Sequence, residues 1–399
     1  MLKNKRPASV KPKESSEEKY DALIQSLCDL AIELVEQGDS GTMSDALKQK
    51  ESDFRKIIKK SLLQKKDEVL YEALERTKYA DDHAYRFLKS SIEEASEVLI
   101  VRRNEGGALE INAFVIPMFV HTTGGLNIAR SFQDQEAFDL LTESFKKGGL
   151  ESPEARVVLI SHAYHLEEID RITYSDLADM LRDAFASMTE KKAQATPAID
   201  RSLSGWPENN FDPDDEAFEL RFLLGFTLKA IDDVLYVVPE DEAAADAYFA
   251  AREESFQRWT ERVKPLVARC MGMEIDVNFL YQDLFHGGKE RGIAEHFMLQ
   301  MMSELNRSLA EQGIAADRAN AIVGPIDIDG EMILRVNLCT RTDGTLFAFY
   351  EKPLAVDRDW QADVDDVCDA LMTLGIESVS LAAGFGIDGA AFDARPYNN

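Results

Sequence analysis

Hydrophobic residues recur every three or four positions along the first quarter of the chain, which is the spacing of an amphipathic helix. The pattern predicts one helix over 20–36 and a longer helical region over 44–94, with a break near 79–82. The first residues are cationic and are followed by no apolar stretch of signal-peptide length. We therefore expect a disordered tail over 1–16 and a helical N-terminal region over 17–96.

The hydrophobic period shortens at Glu97, where strands replace helices. Two apolar strands are expected over 97–103 and 108–120, joined by a short connection that contains glycine. A helix over 134–147 and an apolar strand over 155–161 follow. Strand, helix and strand in this order predict a parallel crossover unit.

Residues 97–270 together are expected to form an α/β domain, which a long polar loop over 189–216 interrupts. The loop contains three of the twelve prolines of the chain. The pattern around it predicts a helix over 173–188, strands over 219–228 and 233–238, and a long helix over 241–270. Pro265 should kink or split this last helix.

The last third of the chain alternates strands and helices in the order βαββαβ. The predicted elements are a strand over 274–280, a helix over 289–312, a hairpin over 332–352, a helix over 360–374 and a strand over 377–382. This order is that of a ferredoxin-like unit, which we place over 271–385, with a flexible tail over 386–399. The expected fold class is therefore α+β or α/β, with a helical N-terminal region before mixed sheets and their helices.

The chain is strongly acidic, and its charge is unevenly distributed. The formal net charge is −28, yet residues 1–80 carry 16 basic and 15 acidic side chains, so nearly all of the excess lies in the rest of the chain. Such a surface repels nucleic acids and anionic membranes at long range. The stretch 48–66 is the exception, because its lysines could form a basic face or could be the solvated side of an amphipathic helix.

Cysteine usage and hydropathy indicate the cellular compartment. The four cysteines are isolated among apolar neighbours without CxxC spacing, so neither a disulfide framework nor a zinc ribbon is expected. The most apolar runs contain charged residues and fall short of the roughly 20 residues that cross a bilayer. These features predict a cytoplasmic protein that does not enter the membrane.

Gly384, Gly386 and Gly389 form a G-x-G-x-x-G pattern, which is typical of dinucleotide-binding turns. That fold also needs a following helix, a second parallel strand and an acidic residue about 20 positions later. The chain contains ten residues after Gly389. We therefore predict no dinucleotide site and no other cofactor.

The sequence SHAYHLEE places His162, His165 and Glu168 three residues apart, a spacing that would suit a metal site on a helix. The stretch directly follows the predicted strand over 155–161, however, and residues three apart along a strand point to opposite faces. Shared ligation would therefore require a bend after Ser161. No metal site is predicted.

A candidate site follows from topology. If the strands over 109–120 and 155–161 are parallel, their carboxyl ends lie at the same sheet edge, where open α/β sheets usually hold ligands. That edge would carry the catalytic candidates His121, His162, Tyr164 and His165 and the anion-binding candidates Thr122, Thr123, Gly124 and Gly125. The alternative is that the glycines turn the chain and the polar residues are solvated strand ends.

The stretches FQRWTERVKPLVARCMG and GIAADRANAIVG, with the hairpin after them, resemble an uncharacterised proteobacterial family of about the same length, which is catalogued as a domain of unknown function. The resemblance runs from about Glu97 to Phe385. It implies a cytoplasmic protein and carries over no activity and no catalytic residue. Members of that family end in a tail with a CxxC-type pair, whereas this chain has no cysteine after Cys368. No metal-binding role of the tail is therefore implied.

Three functions are compatible with these patterns. The first is a non-enzymatic protein that binds or regulates another protein through its helical N-terminal region and acidic body. The second is an enzyme or small-anion binder at residues 121–125 and 161–165. The third is a nucleic-acid-associated factor that uses the basic stretch 48–66. We favour the first, in which the partner is a protein and could be a second copy of the chain.

Overall fold

The computed structural model describes residues 16–38, 44–103, 106–123, 132, 134–189, 216–233, 237–272, 274–280, 283–328, 331–353, 360–386 and 388–397. The architecture of these segments is mixed α+β, as the sequence predicts. Within them no helix has the length and hydropathy needed to cross a membrane. Residues 1–15 of the predicted tail over 1–16, most of the predicted polar loop and the centre of the predicted strand over 233–238 lie outside the described residues, and Ser16 already belongs to the first helix.

The first of two compact units contains the described residues up to Val98 together with Thr173–Arg182. Its N-terminal region is helical, as predicted, and consists of α1 (Ser16–Gly38), α2 (Asp45–Leu63), α3 (Asp67–Ala80) and α4 (Asp82–Glu97). The predicted break near 79–82 is present, because the Asp81 carboxylate accepts a hydrogen bond from the backbone N–H of Ala84 and so caps α4. Local capping chemistry thus decides where α3 ends and α4 begins.

The apolar side of α2 faces the core of this unit. Phe54 and Ile58 are almost completely buried among residues of α1, α3 and α4. Most lysines of the basic stretch 48–66 lie on the other side and are exposed. One of them, Lys56, forms an ion pair with Asp53 at 2.9 Å. The stretch is therefore the solvated side of an amphipathic helix, and part of its charge is neutralised locally.

The second unit contains the remaining described residues and two larger sheets. The first sheet consists of β1 (Val98–Arg102), β2 (Ala108–Thr123), β3 (Arg156–His165), β4 (Glu216–Ala230), β5 (Asp276–Phe279) and β6 (Asp283–Leu284). β2, β4 and β3 lie side by side in that order, and β1, β5 and β6 pair with β2. The helices along this part of the chain are α5 (Gln135–Lys147), α6 (Leu166–Asp170), α7 (Tyr174–Thr189) and α8 (Glu242–Met271), and the residues of α7 up to Arg182 belong to the first unit.

β4 lies between β2 and β3 and is antiparallel to both. β2 and β3 therefore run in the same direction, as the predicted crossover requires, and their carboxyl ends lie at one edge of the sheet. The two strands are not neighbours, because β4 enters between them from a later part of the chain. Residues 219–228 of β4 are all buried, which suits a strand covered on both faces.

One face of this sheet is covered by α5 and α8. Trp259 of α8 is fully buried, and its ring centroid lies 5.2 Å from that of Phe145 in α5 and 5.3 Å from that of Phe279 in β5. The indole N–H of Trp259 also donates a hydrogen bond to Ser144 Oγ at 2.8 Å. These contacts fix α5 against α8.

The long helix α8 runs through Pro265, so the predicted split does not occur. Proline lacks the N–H that would bond to the carbonyl four residues earlier, and it usually breaks a helix. Here Val263 and Val267 flank the proline, and both are fully buried in the core under the sheet. Burial on both sides of the proline outweighs the loss of one backbone hydrogen bond.

The second sheet consists of β7 (Ala319–Ile328), β8 (Glu331–Thr340), β9 (Leu346–Pro353), β10 (Ser378–Leu381) and β13 (Arg395–Pro396). Their order in the sheet is β13-β10-β7-β8-β9, and β10 is parallel to β7. α9 (Phe285–Gln312) and α10 (Trp360–Thr373) pack on one face, where Met301, Leu305 and Val367 are buried. The predicted hairpin and helices of this part of the chain are therefore confirmed.

A ferredoxin-like unit over 271–385 is not confirmed. The strand expected to open it is β5, which pairs with β2 in the first sheet. There Val277 joins the core that contains Trp259. Residues 319–328 supply the unpredicted strand β7 instead. An alternating apolar pattern specifies which face of a strand is buried but not which sheet the strand joins, so the sequence could not distinguish the two arrangements.

The glycines of the G-x-G-x-x-G pattern belong to a small hairpin formed by β11 (Gly384–Phe385) and β12 (Ala391–Phe392). Gly389 has a φ of 75°, which glycine adopts without strain. A Cβ at this position would lie 2.9 Å from Nη2 of Arg335. The carbonyl of Gly389 accepts a hydrogen bond from Asn337 Nδ2 at 2.9 Å. Gly389 thus allows the hairpin to pack closely on β8.

We expect the hydrogen bond between Trp259 and Ser144 to couple α8 to α5 energetically. Trp259→Phe and Ser144→Ala each remove one partner and should each lower the free energy of unfolding. The double variant should lose about 0.5–1.5 kcal/mol less than the sum of the two single losses. Urea unfolding followed by circular dichroism measures these free energies. Strict additivity would contradict the coupling.

Candidate functional site

The structure places the predicted candidates of β2 and β3 along one edge of the first sheet. His121, Thr122 and Thr123 end β2 and are opposite Phe218, Ala217 and Glu216 of β4. His165 ends β3 opposite Arg221 of β4. The first residues of β4 therefore lie between the two groups of candidates. Gly124 and Gly125 lie outside the described residues.

The candidates on this edge do not all face the same way. Directly opposed residues of an antiparallel pair point to the same face, and successive residues of a strand point to opposite faces. His121 and Tyr164 are opposed to residues on one face of β4, whereas His165 is opposed to Arg221 on the other face. The predicted residues thus share an edge but are divided between its two faces.

A β-bulge brings His162 next to Glu168. The bulge lies between Leu159 and Ala163, where four steps along β3 match two steps along β4. The side chain of His162 is 4 % exposed, and its Nε2 lies 3.0 Å from Glu168 Oε2. The bend after Ser161 that such a contact requires is therefore present.

Glu168 joins both histidines of the SHAYHLEE stretch. Its Oε2 accepts a hydrogen bond from the backbone N–H of His165 at 2.8 Å, in addition to the contact with His162. His165 Nδ1 accepts a hydrogen bond from the backbone N–H of Glu167 at 3.3 Å. Together these bonds form a capping box at the start of α6. The residues considered as metal ligands thus close the turn between β3 and α6.

Burial and hydrogen bonding set the protonation states in this cluster. Burial raises the pKa of Glu168, but the hydrogen bonds from His162 and from the His165 backbone outweigh it and leave that pKa below its ordinary value. Burial, reinforced by the charge of Arg221, lowers the pKa of His165. Burial also raises the pKa of Tyr164. At neutral pH Glu168 is therefore ionised, His165 is neutral and Tyr164 is protonated.

β4 carries a buried ion pair that was not among the predicted candidates. Glu219 and Arg221 are each less than one-tenth exposed, and Arg221 Nε donates to Glu219 Oε2 at 2.8 Å. Arg221 Nη1 also donates to the carbonyl of Ala163 at 3.2 Å. Each charge compensates the other, so Arg221 attracts an anion only weakly. The sequence feature that could have indicated this ion pair is the pair of oppositely charged residues in FELRF, within a mostly apolar strand.

The chemistry of this edge suits a structural role. The contacts of His162, Glu168 and Arg221 tie β3, β4 and α6 together. A general acid or base must instead reach a proton of the substrate. Among the described residues there is also no group of three or more side chains that could hold a metal ion.

A groove runs between α5 and the outer side of β3. β3 pairs with β4 on one side, and no other described strand pairs with it. The groove has a volume of about 420 Å³ and is lined by Phe138, Asp139, Thr142, Glu143 and Lys146 of α5 and by residues 156–159 of β3. Leu159 is buried, and Phe138 and Val157 pack against the same core. The groove therefore has an apolar floor and a charged rim.

The backbone hydrogen bonds of β3 define the length of its open edge. Residues 156–159 pair with β4 in regular register, and the bulge begins after Leu159. Beyond it, the N–H of Phe132 donates to the carbonyl of Ser161 at 2.8 Å, so this part of the outer edge is occupied. The open edge is therefore limited to 156–159, where the outward N–H and C=O groups meet no backbone partner in the described part of the chain.

A family model described as Protein of unknown function (DUF2863) matches residues 12–289 of the chain. The match confirms the resemblance to an uncharacterised family, although it begins and ends earlier than the expected span from Glu97 to Phe385. It includes β3, α5 and the whole first sheet. No curated protein and no solved structure matches the chain.

Glu168→Gln should destabilise the protein in a pH-dependent way. The pKa of Glu168 is lowered in the folded state, so its stabilisation is complete above the unfolded carboxylate pKa of about 4.3 and is lost as the pH falls through the folded value. We expect a loss of about 1–3 kcal/mol in the free energy of unfolding at neutral pH, and a smaller loss near pH 3. Urea unfolding at both pH values measures it.

The exposed neighbour Glu167 provides the control. Glu167→Gln should change the free energy of unfolding by less than about 0.5 kcal/mol at either pH. A loss for Glu168→Gln that is the same at neutral and acid pH would show that its charge does not stabilise the turn.

Proposed function

The chain belongs to this family of proteins of unknown function, and we propose from its geometry that it binds other proteins by strand addition. An extended segment of the partner would pair with the outer side of β3 and lie in the groove beside α5. The observation that carries the proposal is the open edge over 156–159 next to a groove with an apolar floor.

Main-chain pairing would supply a large part of the affinity. An edge strand presents a row of N–H and C=O groups that can pair with another chain, and proteins usually protect such edges with bulges, charges or prolines. In β3 the bulge begins after Leu159 and leaves the four preceding residues regular. An extended partner of four residues covers about 13 Å, so a short linear segment is long enough to pair with this edge.

The floor of the groove would anchor one side chain of the partner. Phe138 and Val157 are partly buried at the margin of the core, and Leu159 lies beneath them. An apolar side chain placed there removes further apolar surface from water, at about 25 cal/mol per Å². Thr142 lies one turn after Phe138 on the wall of the groove, so the size of residue 142 determines how much room the anchor has.

The contacts of the polar cluster at the sheet edge favour a structural role over catalysis. Glu168 is held by two hydrogen bonds and His165 caps α6. These contacts close the turn between β3 and α6, so they give both residues a structural role that needs no substrate. The enzyme or small-anion binder at residues 121–125 and 161–165 therefore has less support. The nucleic-acid-associated factor also has little support, because the body of the chain is acidic.

We also propose a cytoplasmic location. All four cysteines are free and buried, as is usual in a reducing compartment. Burial raises the pKa of Cys270 and of Cys368 to about 12, so both stay protonated thiols of low reactivity. Fractionation of cells that express the tagged full chain tests this location, and a periplasmic or membrane fraction would contradict it.

Peptide selection on the full chain tests the binding function. A random heptapeptide library displayed on phage is selected against the protein, and the dissociation constants of enriched peptides are measured by calorimetry. Thr142→Arg places a long side chain in the groove and should raise the Kd at least about tenfold. Leu140→Arg adds the same side chain to the exposed side of α5, outside the groove, and should change the Kd less than about twofold.

Two results would contradict strand addition at β3. One is the absence of any enriched peptide, and the other is equal binding by Thr142→Arg and the wild-type chain. Circular dichroism and thermal unfolding of both variants establish that a loss of binding does not come from a loss of fold.

A further inference from the structure

We infer, on the basis of the proposed strand addition, that the groove selects a segment with a basic, an apolar and an acidic residue at alternate positions, bound antiparallel to β3. The two ends of the groove carry opposite charges, and its floor is apolar. The partner is therefore an extended protein segment of matching polarity.

α5 runs antiparallel to β3, so each end of the groove has its own side chains. The helix begins near the bulge, because Phe132, which lies shortly before it, donates its N–H to the carbonyl of Ser161. It ends before the turn that leads into β3. Asp139 therefore lies at the bulge end of the groove, and Lys146 lies at the end where β3 starts.

The end of the groove next to the start of β3 is positively charged. Lys146 and Arg156 both line it. Lys146 is exposed and makes no ion pair with any described residue. Arg156 Nη1 donates to the carbonyl of Met188, which orients the guanidinium without neutralising its charge. Arg156 precedes Val157 and so leaves β3 on the face opposite α5, and Lys146 is therefore the cation that meets an acidic side chain of the partner beside α5.

The end of the groove next to the bulge is negatively charged. Asp139 Oδ1 accepts a hydrogen bond from Gln135 Nε2 at 2.7 Å, which leaves the negative charge of the carboxylate in place. Glu143, between the two ends, is neutralised by Lys147 at 3.0 Å. The rim therefore changes from net negative at Asp139 to net positive at Lys146.

The distances fit three alternate residues of a strand. Asp139 and Lys146 are two helical turns apart, which is about 10.5 Å along α5. Side chains at i, i+2 and i+4 of an extended segment share one face and span about 13 Å. The first reaches Asp139 at the bulge end, the second lies over the apolar floor near Val157, and the third reaches Lys146 and the start of β3.

Antiparallel pairing with β3 determines the order of the basic and acidic residues along the bound segment. The pairs of β4 with β2 and β3, and of β2 with β5 and β6, are all antiparallel. Antiparallel pairing is also slightly more stable per residue than parallel pairing. A segment antiparallel to β3 passes the bulge end first, so its basic residue precedes its acidic one.

Two synthetic heptapeptides of equal composition test this order. Both are acetylated and amidated at their ends, and both carry leucine at the fourth position. The forward peptide has lysine second and glutamate sixth, and the reversed peptide exchanges the two. We expect the forward peptide to bind the wild-type chain about fivefold more tightly at low salt, and the difference to shrink at about 0.5 M salt.

Charge reversal on the protein identifies the contact. Lys146→Glu should abolish or invert the preference for the forward peptide. Arg258→Glu makes the same change in net charge at an exposed site on α8 and should preserve the preference. An equal loss of preference in both variants would overturn the assignment to Lys146, because it would reflect net charge alone.

The binding results separate an error in the charge order from an error in the proposed strand addition. If the wild-type chain binds both peptides equally and Thr142→Arg weakens both, the inferred charge order is wrong and strand addition stands. If neither heptapeptide binds and the phage library yields no ligand, strand addition itself is wrong.

Discussion

β4 lies between β2 and β3, and this position makes β3 the outer strand of the first sheet. β4 pairs with β2 over Glu216–Ala230 and with β3 over Arg221–Leu228, and its residues 219–228 are buried. At its middle, a Cβ on Gly225 would lie 2.4 Å from Phe114 Cζ and 2.7 Å from Leu159 Cδ2. Glycine therefore lets side chains of β2 and β3 pack directly across β4. With β4 on its inner side, β3 becomes the outer strand beside α5.

The polar residues near the strand ends follow from the same arrangement. Burying β4 also buries Glu219 and Arg221, which are tolerated because they pair with each other and with a backbone carbonyl. The two extra residues of the bulge turn His162 toward Glu168, and Glu168 in turn caps α6. The same bulge ends the regular edge of β3. A single irregularity thus sets both the histidine cluster and the length of the groove.

Local features of the fold could be predicted from the sequence, whereas the choice of neighbours could not. The end of α3 near 79–82, the helix α5 and the hairpin of β8 and β9 follow from caps, apolar spacing and turn residues near in the chain. The insertion of β4 between β2 and β3, and the pairing of β5 with β2, depend on contacts between distant residues. Apolar periodicity indicates which face of a helix or strand is buried, but it does not indicate which other element packs against that face.

The candidate site shows the same limit. The shared edge of β2 and β3 was predictable from strand direction. The contact between His162 and Glu168 depends on the bulge, and no turn residue in the sequence indicates a bulge there. The groove could not be predicted either, because the outer position of β3 is a consequence of where β4 lies.

Residue-resolved hydrogen exchange of the free full chain measures whether residues 156–159 of β3 form an open edge. Successive amides of a strand point to opposite sides, so the amides of residues 156–159 alternate between β4 and the groove. We expect the amides directed at the groove to exchange at least about 100-fold faster than those directed at β4. Uniformly slow exchange over 156–159 would show that another segment already pairs with β3 and would contradict an open edge.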